Sequence, residues 1–329
     1  MHFAVYLPLV VPVLAALAAR PLADRLPPAA ATWLLAASAL VLALASSAVL
    51  GMLALSALVR IPVIDAVAHL SGPVIRSSDA VSVPVAIVAG GLLVMATVAA
   101  CRAVWRRGRA IAAAHRHASS LPGVGQVVVT EDTAADAYTL PGWPCRIVIT
   151  QGMLRALSAG ERGVLLAHER AHARGSHYLF TSAARLAAAA NPLLRPVAAQ
   201  TGYTVERWAD ERAASQAGDR TLAARAIARA ALATSAAPPG RDAAMTALGL
   251  ITQEGEHRAD VPRADQPRVD LHKAGQVPRR VAALLAPRPR LRLLLLAAAI
   301  VLVAISGAAA LEAARNFHQL IELAQGQHP

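Results

Sequence analysis

Aromatic side chains are scarce in this chain: they make up 3% of its 329 residues, although 56% are hydrophobic. There is accordingly no basic stripe interleaved with aromatics, which nucleic-acid binding would favour, and a pI near 11.2 needs another explanation. Cysteine is almost absent as well. Only Cys101 and Cys145 occur, so neither a disulfide framework nor a cysteine-based zinc site can be built. No internal repeat, phosphate-binding glycine loop or serine nucleophile elbow is present. Nothing in the sequence therefore points to phosphate binding through a glycine loop or to a serine nucleophile.

What the chain does have is apolar runs free of charge. Phe3–Ala19, Leu26–Val59 (best over Ala31–Leu55), Ala80–Cys101 and Leu293–Leu311 are each long enough, or nearly so, to span a bilayer. The first resembles a signal peptide in length. Its nearby positive charges follow the apolar run instead of preceding it, which favours a retained span. Tyr178–Asn191 is apolar but short and interrupted by Arg185, which fits a buried or interfacial helix. Basic residues set the expected orientation. The segment Arg102–Arg292 holds 27 Lys and Arg against 15 Asp and Glu, a balance equal to the net charge of +12. Arginines at 102, 106, 107 and 109, and at 288, 290 and 292, flank the third and fourth spans directly. This places the N-terminus outside and the long segment in the cytoplasm, with anionic lipid beside the arginines.

Within that segment lies His168-Glu169-Arg170-Ala171-His172, an HExxH pattern. Side chains four residues apart share a helix face, so both imidazoles can meet one metal ion, and Glu169 borders the open position as a general base. Ser158-Ala159-Gly160-Glu161 forms a capping box at the start of that helix, and Gly175 is a natural stop. Two histidines merely packed on an Ala/Leu-rich helix are the plain alternative. Catalytic zinc usually needs a third protein ligand. In the next helical pattern, Val205–Ala214, Glu206 could ligate, and Asp210, on the same face, could accept the outer N–H of a ligand histidine. A solvated charged face is the competing reading there, and Glu211 suits it better. His177 and Tyr203 carry donors of the type used for oxyanions, but isolated residues of this kind are more often simply packed.

Val124–Val129, Ala137–Leu140 and Arg146–Ile149 read as strands, after a basic helix running through Arg116. Pro144–Thr150, immediately before the HExxH helix, is placed to present a strand edge to an extended peptide. From Pro238 to Gln276 the composition turns polar and rich in proline and glycine, as in a flexible loop.

Ala137-Tyr138-Thr139-Leu140-Pro141-Gly142, Ile147–Leu154 and the HExxH helix resemble the integral-membrane gluzincin peptidases. Asn191-Pro192-Leu193-Leu194 followed by Glu206-Arg207-Trp208-Ala209-Asp210 looks most like the BlaR/MecR type. The resemblance implies Zn2+ bound by His168, His172 and Glu206, with Glu169 as general base and Asp210 supporting a ligand histidine. Beta-lactam sensors of that type carry a large external penicillin-binding domain after the fourth span. Here only Glu312–Pro329 follows, so beta-lactam sensing by this chain is not expected. The Ala209-Asp210 pairing is similar also to HtpX-like membrane proteases.

The expected fold class is a mainly α polytopic membrane protein, with a zincin-like α+β metallopeptidase domain between the third and fourth of four transmembrane helices. The divisions are 1–101, three spans with short loops; 102–290, the cytoplasmic peptidase domain with a flexible loop at about 236–276; 291–312, the fourth span; and 313–329, a short external tail. The expected function is zinc-dependent endopeptidase cleavage of a cytoplasmic or membrane-proximal protein, as in regulatory proteolysis of a repressor. HtpX-like quality control, and a non-enzymatic membrane signal transducer or scaffold, are the alternatives. Expected partners are a protein or peptide substrate and the lipid bilayer, with no direct nucleic-acid contact.

Overall fold

The computed structural model describes residues 6–58, 83–122, 125–142, 145–236 and 275–326. The expected flexible loop at about 236–276 lies almost wholly outside the described residues, as does the segment carrying Arg60, Asp65, Arg76 and Asp79. Helices α1 (Leu7–Arg25), α2 (Pro28–Leu58) and α3 (Val83–Ser120) come first, followed by strands β1 (Val127–Thr130), β2 (Ala137–Leu140) and β3 (Arg146–Thr150). Then come α4 (Gln151–Ala156), α5 (Ala159–Gly175), α6 (His177–Ala190), a 3-10 turn (Pro192–Leu194), α7 (Arg195–Ala217), α8 (Arg220–Ala236), α9 (Gln276–Leu285) and α10 (Leu293–Gly326).

Four helices are long and apolar enough to cross a membrane: α1, α2, α3 and α10. The first is helical despite its prolines. Pro8 sits in the first turn, where its missing N–H costs nothing. Pro12 cannot donate to the carbonyl of Pro8 one turn earlier, and the hydroxyl of Ser46 on α2 fills that gap at 2.8 Å. The Asn191 amide donates in turn to Ser46 Oγ at 3.1 Å, tying α1, α2 and the end of α6 together. The third apolar run and the basic stretch after it form one continuous helix, α3. Its Arg107 Nε donates to Ser182 Oγ of α6 at 2.7 Å.

One core joins the apolar helices to the later ones. Val11, Ala19 and Ala23 of α1 and Leu35, Ala39, Leu42 and Ala43 of α2 pack with Ala187 and Ala188 of α6 and Val197 and Tyr203 of α7. Small side chains allow these helices to approach closely, as in helix packing within membranes. Thr32 Oγ1 of α2 also donates to Thr204 Oγ1 of α7 at 3.0 Å, and Arg207 Nη1 donates to the Ala23 carbonyl at 2.5 Å.

The sheet is small and mixed, in the order β1-β3-β2. β3 pairs parallel with β1 and antiparallel with β2, and all five of its residues are buried. This corrects the expectation for Pro144–Thr150: a central strand has both edges occupied and cannot hold a peptide. β2 lies at the end of the sheet beside α5, with no further strand beyond it among the described residues. Local sequence does not encode strand order, so pattern alone could not show that β3 is the central strand.

Candidate active site

α5 begins as expected. The Ser158 backbone N–H donates to Glu161 Oε2 at 2.8 Å in a capping box. Val164 and Ala167 bury one side against Ala213 and Ala214 of α7 and Ala223, Ala224 and Ile227 of α8. This packing fixes the HExxH face against α7. His168 Nε2 and His172 Nε2 lie 3.1 Å apart. Glu206 places Oε2 at 3.5 Å from His168 Nε2 and Oε1 at 3.5 Å from His172 Nε2. One ligand atom from each of the three residues falls within 4.8 Å of the others. His168 and Glu206 are buried while His172 is partly open, so the cluster has one accessible side.

Asp210, one turn beyond Glu206, sets Oδ1 at 2.9 Å from His168 Nδ1. Arg280 of α9 then grips Asp210, with Nε on Oδ2 and Nη2 on Oδ1, both at 2.7 Å. Its Nη1 is 3.2 Å from Glu206 Oε2. Arg280 is fully enclosed, and sequence reasoning missed it: within the Arg279-Arg280 pair, nothing local distinguishes a buried arginine from a solvated one. Burial opposes ionisation of Glu206 and Asp210, but His172 and Arg280 outweigh it at Glu206, and Arg280 at Asp210. Both carboxyls stay below their usual range. Burial likewise opposes a charge on His168, and hydrogen bonding to Asp210 and Glu206 overrides it, raising the imidazole to about 10.

Glu169 is buried beside the cluster, and Thr139 of β2 donates to its Oε2 at 2.8 Å. Behind His172, His177 Nδ1 lies 3.2 Å from His172 Nδ1. Burial, followed by the charge of His172, pushes His177 down to about 3. Neither oxyanion candidate faces the cluster in the manner the sequence allowed. His177 backs a histidine, and Tyr203 is packed in the core shared with α1 and α2, with Arg279 over its ring at 4.0 Å. Glu211 pairs with Arg220 instead.

Two imidazole nitrogens and an ionised carboxylate converging on one point are the donor set of a catalytic zinc site, and each histidine has a partner behind it. The sequence pattern of peptidase family M48 matches residues 102–288, more than half of the chain. The chain belongs to this family. M48 peptidases are zinc metallopeptidases, with which the His-His-Glu cluster is compatible. All the residues gathered above, from Thr139 to Arg280, fall inside the M48 match. No curated protein and no solved structure matches the chain.

Proposed function

We propose that this chain is a membrane-embedded zinc endopeptidase in which His168, His172 and Glu206 hold the metal and Glu169 is the general base. The convergence of those three ligands next to a glutamate fixed by Thr139 carries the reading. Zinc held there would supply a Lewis acid that makes water a nucleophile near neutral pH and polarises the scissile carbonyl. Glu169 takes the proton from the attacking water and delivers it to the leaving amine. Asp210, anchored by Arg280, keeps His168 oriented, and the outer edge of β2 offers backbone groups to an extended peptide beside Glu169.

The substrate we favour is a cytoplasmic or membrane-proximal regulatory protein, cut in signal transduction. Juxtamembrane arginines support a cytoplasmic site with the N-terminus outside. A core shared between the helices of the site and two candidate spans, α1 and α2, supports a second reading, HtpX-like cleavage of membrane proteins. Mapping new protein termini in cells carrying the wild type or Glu169→Ala tests both. One or two wild-type-dependent termini in a regulator support the first reading, and many in membrane proteins support the second. An identical set of termini in both strains would leave only the non-enzymatic scaffold.

A further inference from the structure

We propose that His177 is a positioning residue for His172: its Nδ1 accepts the Nδ1–H of His172 and so directs His172 Nε2 into the metal site. The inference rests on His172 being a metal ligand, as proposed above.

An imidazole that binds metal through Nε2 must carry its proton on Nδ1, and that N–H needs an acceptor. For His168 the atom in this place is a carboxylate oxygen of Asp210. For His172 it is the ring nitrogen of His177, at 3.2 Å. A neutral imidazole can accept there only with its own proton on Nε2, which fixes the tautomers of both rings. The two ligand histidines are therefore supported unequally, one by an anion and one by a neutral ring.

Three consecutive residues are shaped to make this contact. Ser176 ends α5 in the left-handed region, at φ 47° and ψ 42°, and is the only non-glycine residue with positive φ among those described. Such a conformation disfavours ordinary side chains and persists where the surroundings impose it. It reverses the chain so that α6 begins with its first ring folded back on α5. Gly175 makes room for that ring: a Cβ there would lie 2.4 Å from His177 Nε2 and 2.5 Å from its Cδ2. The ring is buried, and Trp208 of α7 covers it with centroids 4.7 Å apart. The left-handed turn, the missing Cβ and the covering indole all serve one placement, that of His177 Nδ1 against His172.

The test is the zinc dissociation constant of the purified full-length protein, measured by chelator competition. Thermal unfolding of the metal-free protein is followed alongside as a control for packing. His177→Phe keeps a ring against Gly175 and Trp208 but has no acceptor, whereas His177→Asn keeps an acceptor oxygen in a smaller side chain. Loss of such a partner typically weakens metal binding about 10- to 100-fold, and His177→Phe should fall in that range while His177→Asn stays within about threefold of wild type. At saturating zinc, His177→Phe should recover KM more fully than kcat, since a mis-aimed ligand disturbs the reaction more than peptide binding. Wild-type zinc affinity in His177→Phe would overturn the inference. So would a tenfold or greater loss in folded His177→Asn, and this arm stands even if the Phe variant does not fold. Wild-type protein that binds no zinc would instead overturn the proposed function itself.

Discussion

Arg280 holds Asp210 by both carboxylate oxygens at 2.7 Å, across 70 residues of chain, and Asp210 in turn lies 2.9 Å from the imidazole of His168. The orientation of the His168 ring thus depends on a helix that is remote in sequence. Arg280→Met would leave two buried carboxylates without their cation. Breaking one side of a buried ion pair costs about 3–5 kcal/mol, so the variant should unfold well below wild type and bind zinc more weakly. Thermal unfolding and zinc titration check this, and Arg280→Lys should rescue only part because it lacks the fork.

Thr139→Val removes the hydroxyl that reaches Glu169 while preserving shape. A hydrogen bond to a charged group is worth about 1.5–3 kcal/mol, so kcat should fall about 10- to 100-fold with zinc content unchanged. Peptidase assays together with metal analysis separate this outcome from a loss of metal.

The candidate metal site was legible where chemistry and spacing coincide. The capping box at Ser158, the His168–His172 repeat and the Glu206–Asp210 repeat all lie within single helices, whose periodicity is local. The contributions of Arg280 and Thr139 were not legible, because each joins elements that only the folded chain brings together. His177 stood out as a residue but not in its role, which depends on a left-handed turn at a serine that no turn rule would select. The edge position of β2 was hidden for a related reason: three short apolar strands look alike until their order is known. α1 stays helical through Pro12, since the Pro8 carbonyl that Pro12 leaves without a donor is satisfied by Ser46 from another helix.

Zinc binding should release a proton. His168 is raised to about 10, so its ring is protonated at neutral pH before metal arrives and must be neutral afterwards. Glu206 and Asp210 are already ionised there and add no slope. Affinity should therefore rise about tenfold per pH unit between roughly pH 7 and 9, and flatten above about 10. Zinc dissociation constants measured across that range check the slope, and a flat profile would show that His168 binds zinc without losing a proton.

Ser46→Ala should loosen the join between α1, α2 and the end of α6, because the Pro8 carbonyl and the Asn191 amide both lose a partner. An unsatisfied buried group costs about 1–3 kcal/mol. Unfolding in detergent should shift down by a corresponding amount, with zinc affinity unaltered because the metal cluster is not part of this join.

The most direct test compares purified wild type with Glu169→Ala for bound zinc and for peptide-bond cleavage in the same preparation. About one zinc per chain is expected in both proteins, with cleavage by the wild type alone. Undiminished cleavage by Glu169→Ala would contradict it.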